Sequence, residues 1–109
     1  MPADRFTIHD LERTLAERAQ ASADTSYTRK LLDKGIGHCA KKLGEEAVET
    51  ALAAVSEDRD RVIAEASDLL YHLLVVLRAR DIAFAEVEAA LSNRTGMSGL
   101  AEKAARSRS

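Results

Sequence analysis

The chain has 109 residues, of which 46% are hydrophobic and 31% charged, and its formal net charge is −2 at neutral pH. This composition is typical of a folded globular protein and excludes a disordered or membrane-spanning chain. The length is that of one small domain, covering residues 1–109. The slight excess of acidic residues excludes the broad basic surface of a nucleic-acid-binding domain.

The cysteine content and the N-terminal sequence indicate an intracellular protein. Cys39 is the only cysteine, so no internal disulfide can form. Residues 1–5 lack the basic start and the apolar run of a secretory signal. The longest apolar run, Leu73 to Leu77, is far shorter than the roughly 20 residues that cross a bilayer. We therefore expect a cytoplasmic protein with no membrane role.

The residue types favour helices throughout the chain. Twenty residues are alanine, and the single proline is at position 2, where it interrupts no helix. We predict an all-α fold of four to five helices. An alanine-rich core of this size buries little surface, so we expect an antiparallel helical bundle completed by homodimerisation.

The first two helices have recognisable beginnings and ends. The first is predicted from about Ile8 to Ala21, with Thr7 as N-cap and an acid three residues later. A short helix is predicted over Tyr27–Lys34, capped by Ser26 or Thr25 and ended by Gly35.

Three further helices are predicted, from Ile36 to about Val55, from about Arg59 to Arg80, and from about Ile82 to Ser92. Residues 56–58 are predicted to cap the helix that begins at about Arg59, and residues 95–109 are predicted to form a C-terminal tail. The central helix aligns apolar residues on one side: Leu43, Ala47, Ala51 and Val55. The helix after it is predicted to bury a stripe of Val62, Ala66, Leu69, Leu73, Val76 and Leu77.

Acidic residues cluster on the two long helices. Glu45, Glu46 and Glu49 lie within five positions, and like charges one turn apart cost about 0.2–0.5 kcal/mol per pair. Glu65 and Asp68 repeat the one-turn spacing beside the most apolar stripe. Charges at such an edge must be paired or bind a metal, because their desolvation is expensive.

Helices joined by a short turn pack antiparallel, so the two acidic pairs are expected to face each other. Carboxylates without thiolates or a histidine set are ligands for Mg²⁺ or Mn²⁺. Such a site suits a di- or triphosphate substrate, helped by nearby basic side chains: Arg29, Lys30, Lys34, Lys41 and Lys42. Glutamate-rich helix faces are also commonly solvated surface with Lys–Glu pairs, and both interpretations stay open on the residues alone.

Two other reactive residue types have a simpler interpretation. Cys39 is predicted to be a small core residue rather than a nucleophile. His72 lies on the side of the acidic stripe, and we interpret it as a hydrogen-bonded packing residue rather than a base.

The spacing Glu45-Glu46-x-x-Glu49, followed by Glu65-x-x-Asp68, resembles the metal motif of the all-α, MazG-type nucleoside triphosphate pyrophosphohydrolases. The surrounding sequence is similar to the phosphoribosyl-ATP pyrophosphatase branch of that superfamily. Three segments and the tail from Gly96 to Lys103 carry this similarity: Ser26-Tyr27-Thr28-x-x-Leu31-Leu32-x-x-Gly35, Lys42-Leu43-Gly44-Glu45-Glu46-Ala47-x-Glu49 and Glu65-x-x-Asp68-Leu69-x-Tyr71-His72-Leu73.

The resemblance implies Mg²⁺-dependent hydrolysis of phosphoribosyl-ATP to phosphoribosyl-AMP and pyrophosphate, the second step of histidine biosynthesis, by a homodimer. It implies four metal ligands: Glu46, Glu49, Glu65 and Asp68. Glu45 would be a ligand of a second ion or the base. Substrate contacts are predicted at the start of the short helix and beside the first acidic cluster: Ser26, Tyr27, Thr28, Arg29, Lys30 and Lys42.

Two alternatives remain beside this interpretation. A house-cleaning nucleoside triphosphate pyrophosphohydrolase would use the same acids on other nucleotides. A non-enzymatic helical dimerisation module would explain the amphipathic helices without the convergent acids.

Overall fold

A computed structural model describes residues 5–56, 58–96 and 106. Within this part of the chain there are five helices and no strand: α1 (Ile8–Ala19), α2 (Tyr27–Asp33), α3 (Ile36–Ser56), α4 (Arg59–Ala79) and α5 (Phe84–Thr95). The predicted all-α class and helix number are confirmed. The tail prediction falls, after Gly96 and apart from Arg106, outside the described residues.

Three predicted caps are present and set where helices begin. Thr7 caps α1 in a reciprocal capping box with Asp10. The Ser26 hydroxyl accepts the Arg29 backbone N–H at the start of α2, and Asp58 caps α4. Each such cap contributes about 1 kcal/mol to helix stability.

Two helices end in left-handed residues. Gly35, with φ of 94°, follows α2, as its position in the sequence predicted. After α4, Asp81 has φ of 60°. Its N–H donates to the Arg78 carbonyl, and the Ile82 N–H donates to the Leu77 carbonyl at 2.8 Å. These two bonds form a Schellman motif, which is why α5 begins two residues later than predicted.

The helices α3 and α4 form the main antiparallel hairpin of the fold. The Thr50 hydroxyl of α3 lies 2.8 Å from the Glu46 carbonyl and 3.1 Å from the Glu65 carbonyl of α4. The core lies at one end of this hairpin, where α1 and α2 pack on it with the buried side chains Leu15, Leu31, Cys39, Leu74 and Val75. The prediction of Cys39 as a core residue is confirmed.

The last helix is tied to the first by polar contacts. The Phe84 N–H donates to the Glu12 carboxylate at 2.7 Å, and His9 Nε2 lies 2.9 Å from the Glu88 carboxylate. These contacts hold the beginning of α5 beside α1. None of the helices in the described ranges combines the length and the apolar character needed to cross a membrane.

The burial of the two long helices differs from the predicted stripes. On α3, Ala47 and Ala51 are exposed and Val55 is 83% exposed, while Cys39 and Ala53 are buried. On α4 the predicted stripe is half-buried throughout, and the buried positions are Glu65, His72, Leu74 and Val75. The reason is that α4 and the core cover one side of α3 and leave its other side open.

One open side of α3 is strongly apolar. Val48, Leu52 and Val55 recur at the spacing of one helix face and are 59%, 57% and 83% exposed. We call these three residues the α3 apolar stripe.

Candidate metal centre and active site

Three carboxylates from the two long helices converge. Glu46 and Glu49 of α3 and Glu65 of α4 each offer an oxygen, and these oxygens lie within 4.8 Å of one another. The one-turn spacing on α3 and the antiparallel hairpin bring them together. The predicted convergence of acids from adjacent helices is therefore observed for these three residues, which we call the acidic cluster.

Two predicted site residues lie beside the acidic cluster rather than in it. Asp68 is exposed, one turn after Glu65 on α4, and its charge contributes to the raised pKa of Glu46. Glu45 is exposed, and its carboxylate lies 3.3 Å from the Lys42 ammonium. The structure therefore places neither residue in the group of converging oxygens, and Glu45 is paired with Lys42.

The cluster disfavours its own negative charge. Burial raises the pKa of Glu46, and the neighbouring carboxylates of Asp68, Glu65 and Glu49 raise it further, whereas Lys42 lowers it. The hydrogen bond and the charge of Glu45 raise the pKa of Lys42. A bound cation would relieve the repulsion among these carboxylates.

Glu65 is the most buried acid of the cluster, with 6% of its surface exposed. The Arg61 guanidinium, one turn earlier on α4, lies 2.8 Å from a Glu65 carboxylate oxygen. This pair compensates for the charge of a carboxylate that would be expensive to bury alone. Removal of one partner from such a pair leaves the other uncompensated.

The donor set fits a hard divalent cation. All three converging groups are carboxylates, and they project from two packed helices rather than from loops. Mg²⁺ and Mn²⁺ prefer such oxygen ligands, whereas zinc and copper sites use imidazole and thiolate.

The three residues predicted to contact substrate at the start of α2, Ser26, Tyr27 and Thr28, have different roles in the structure. The Ser26 hydroxyl donates to the Arg18 carbonyl at 2.8 Å, and the Thr28 and Tyr71 hydroxyls are 2.6 Å apart. Ser26 and Thr28 are buried, so these bonds hold α2 against α1 and α4. Tyr27, in contrast, is 53% exposed and available to a ligand.

The basic residues predicted to contact substrate also differ, because some hold the fold together and others are exposed. The Arg29 guanidinium donates to the Ala19 carbonyl at 3.0 Å and lies 2.9 Å from Asp33, so it also ties α2 to its surroundings. Lys30 is exposed on α2. Of the predicted basic contacts, Lys42 on α3 is the one beside the acids, with its ammonium 3.3 Å from Glu45.

His72 is a feature of this region that sequence reasoning undervalued. It is 6% exposed, and its Nδ1 atom has no hydrogen-bond partner among the described residues. Its ring makes edge contacts with Tyr71 and Tyr27, at centroid distances of 5.1 and 6.4 Å. The interpretation as a packing residue holds for its burial but not for the expected hydrogen bond at Nδ1.

The surroundings of His72 connect it to the acids. Burial lowers its pKa, and Lys42 lowers it further, while Asp68 and Glu45 oppose this change. A neutral imidazole at this place offers one donor and one acceptor nitrogen. The only sequence signal was the one-turn spacing after Asp68, which does not reveal the missing partner.

The described structure also has a groove away from the acidic cluster. A groove of about 380 Å³ runs between α1, the end of α4 and the loop before α5, lined by Glu12, Leu15, Leu74, Leu77, Arg78 and Ile82 among others. No residue of the acidic cluster lines it. The acidic cluster and this groove are therefore separate features of the fold.

Comparisons with known proteins identify the family of the chain. The family model described as phosphoribosyl-ATP pyrophosphohydrolase matches residues 8–95, which include every predicted site residue. The phosphoribosyl-ATP pyrophosphatase 1 of Bradyrhizobium diazoefficiens is 67% identical over 102 residues, covering 94% of this chain and 96% of the relative. The phosphoribosyl-ATP pyrophosphatase of Azorhizobium caulinodans is 62% identical, covering 100% of this chain and 100% of the relative. That of Nitrobacter hamburgensis is also 62% identical, covering 95% of this chain and 97% of the relative.

These matches cover nearly the whole chain at high identity, and the names describe enzymes that hydrolyse a diphosphate bond. This chain belongs to the phosphoribosyl-ATP pyrophosphohydrolase family and is a hydrolase of that kind.

Proposed function

We propose that this protein hydrolyses phosphoribosyl-ATP to phosphoribosyl-AMP and pyrophosphate in the second step of histidine biosynthesis. It does so in the cytoplasm with Mg²⁺, for which Mn²⁺ can substitute. The observation that carries the proposal is the convergence of Glu46, Glu49 and Glu65 within 4.8 Å. Family membership supports the substrate, and it argues against a non-enzymatic dimerisation module.

The acidic cluster would hold the cation, with Asp68 as the fourth ligand. When bound, Mg²⁺ supplies positive charge for the substrate's phosphate oxygens and for the departing pyrophosphate. The helical positions of Glu46, Glu49 and Glu65 fix the ligands before substrate arrives, which favours a defined orientation of the polyphosphate.

Lys42 and Glu45, at the edge of the acidic cluster, have separate roles in the proposed reaction. Lys42 presents a cation to the phosphates of the substrate. Glu45, held 3.3 Å from the Lys42 ammonium, accepts the proton of the attacking water as the bond between the α and β phosphoryl groups breaks. No covalent intermediate with a protein side chain is needed, which agrees with the burial of Cys39.

A homodimer is the assembly that supports this site best. The α3 apolar stripe exposes more than half of each side chain to solvent, and contiguous exposed apolar surface marks an interface. Glu45 and Glu49 lie on α3 next to the residues of the stripe. A partner subunit that binds the stripe would therefore lie beside these acids.

The deciding experiment measures pyrophosphate release from phosphoribosyl-ATP, ATP and deoxynucleoside triphosphates, each with Mg²⁺, with Mn²⁺ and with EDTA. We expect release from phosphoribosyl-ATP with either metal and none with EDTA. Equal release from ordinary nucleotides would favour the house-cleaning alternative instead.

Substitutions test the ligand set in the same assay. Glu49→Gln and Glu65→Gln should each lower kcat by about 100-fold or more, because each removes a charged ligand. Glu17→Gln, at an exposed position of α1, is the matched control and should leave turnover unchanged. Unchanged turnover and Mg²⁺ dependence in both site variants would refute the assignment.

A further inference from the structure

We propose that Tyr27 and His72 form the nucleobase subsite, in which the purine of the substrate packs on the Tyr27 ring and hydrogen-bonds to His72 Nδ1. The proposal rests on the proposed function, since the purine is that of phosphoribosyl-ATP. It assigns a ligand to two residues that the acidic cluster does not use.

The first support is the missing hydrogen bond of His72. Its side chain is more than nine-tenths buried, and Nδ1 has no partner among the described residues. Buried polar atoms in folded proteins are nearly always paired, so an orphaned one needs an explanation. The neutral imidazole that burial and Lys42 favour can accept or donate one hydrogen bond at this atom.

The second support is the exposed ring of Tyr27. It is 53% exposed, and Tyr71 stacks near it at a centroid distance of 6.3 Å with 18° between the planes. The ring stands edge-on to His72 at 6.4 Å. Exposed aromatic rings backed by a packed neighbour are common stacking surfaces for nucleobases.

Tyr27 is the exposed aromatic neighbour of the buried His72 ring. Its hydroxyl makes no hydrogen bond within the described ranges, unlike the Tyr71 hydroxyl, which is bonded to Thr28. Rotation of the exposed ring therefore breaks no hydrogen bond, and we expect this rotation to give a ligand access to His72.

The position of the two rings agrees with the chemistry next to them. His72 follows Asp68 by one helical turn, about 6 Å along α4. Lys42 lowers the pKa of both His72 and Glu46, so its charge acts on the ring and on the acidic cluster. A nucleotide with its base at the rings would direct its phosphates past Lys42 toward the acids.

The test is calorimetric titration of the full chain with AMP, and separately with ribose 5-phosphate, without metal. Tyr27→Leu and His72→Phe should each weaken AMP binding by about tenfold. The conservative variants should stay within about threefold of the wild type, because Tyr27→Phe keeps the ring and His72→Asn keeps a polar atom near Nδ1. His9→Phe, at a half-exposed histidine of α1, is the control and should bind AMP normally.

Thermal stability separates a ligand role from a packing role. His72→Phe removes an unpaired buried nitrogen, so it should melt at or above the wild-type temperature while it loses AMP affinity. Should this variant fail to fold, Tyr27→Leu decides alone, because Tyr27 is exposed.

The proposal is overturned if ribose 5-phosphate binds the wild type as tightly as AMP, or if Tyr27→Leu binds AMP normally. Because binding is measured without turnover, the two proposals fail separately. Base-dependent AMP binding in a wild type that releases no pyrophosphate would overturn the proposed function and support the subsite. Turnover of phosphoribosyl-ATP without base-dependent binding would do the reverse.

Discussion

The carboxylate of Glu46 carries an unfavourable negative charge in the acidic cluster. Burial and three neighbouring carboxylates raise its pKa above the ordinary 4.5. Between pH 4.5 and that raised value the folded state binds more protons than the unfolded state, so stability falls as pH rises through this interval. At neutral pH the repulsion is fully present unless a cation is bound.

Glu46→Gln should therefore stabilise the metal-free protein. We expect Tm at pH 7 in EDTA to rise by about 2–5 °C, and the gain to disappear as the pH falls toward 4.5. Thermal melts between these pH values measure it. Glu17→Gln, at an exposed position of α1 outside the acidic cluster, is the control and should show no pH-dependent gain. A Glu46→Gln variant with the wild-type Tm at pH 7 would contradict the prediction.

Spacing predicted that acids of the two long helices converge, but it counted Asp68 among them and did not show how each acid is held. Glu46, Glu49 and Glu65 follow from one-turn separations on two antiparallel helices, which backbone geometry fixes. The exposure of Asp68 and the Arg61 partner of Glu65 depend on side-chain rotamers, on which spacing carries no information. The missing partner of His72 Nδ1 depends on all the surrounding helices at once.

At the scale of elements, one hydrogen bond joins α2 to α4. The Thr28 and Tyr71 hydroxyls are 2.6 Å apart, and burial raises the pKa of Tyr71. Tyr71→Phe should destabilise the fold by about 1–3 kcal/mol, because it leaves the buried Thr28 hydroxyl unpaired.

A double-mutant cycle in urea unfolding measures this link. Thr28→Val combined with Tyr71→Phe should be less destabilising than the sum of the two single changes, since both partners are then apolar. Strict additivity of the three free energies of unfolding would show that the two hydroxyls do not stabilise each other.

The end of α4 offers a stabilising change. Asp81 holds a φ of 60° that glycine adopts at lower cost. Asp81→Gly should raise the free energy of unfolding by about 0.5–1 kcal/mol, whereas Asp81→Ala should not, because aspartate tolerates this region better than alanine. Urea midpoints of the two variants decide it, and equal stabilisation by alanine would exclude the backbone explanation.

Capping residues in the sequence predicted where α1, α2 and α4 begin. Sequence patterns failed where contacts with other helices determine the end of a helix or the burial of a face. Thr7, Ser26 and Asp58 satisfy backbone groups within their own turn, so the sequence is sufficient. The predicted first residue of α5 was two positions too early, because Asp81 and Ile82 complete the end of α4. Neither of them is a typical capping residue. The exposed Ala47 and Ala51 show that an apolar spacing identifies a face without identifying what covers it.

At the scale of the whole molecule, the fold leaves its central helix uncovered on one side. The α3 apolar stripe exposes Val48, Leu52 and Val55 over an unbroken run of two helical turns. Burying these side chains between two copies would add apolar area that a small alanine-rich core lacks. The proposed dimer therefore stabilises the fold as well as the site.

Leu52→Asp should convert that dimer to a monomer of about 11.9 kDa, as measured by light scattering after size exclusion. The charge would be desolvated at the centre of the stripe, so association becomes unfavourable. We expect Tm to lose its dependence on protein concentration and kcat to fall by about tenfold or more, since a partner on the stripe would lie beside Glu45 and Glu49. Leu91→Asp, at a side chain of α5 that is 51% exposed, is the matched control and should remain dimeric and active. A Leu52→Asp variant that stays dimeric would move the interface to another face, and a fully active monomer would show that each chain holds a complete site.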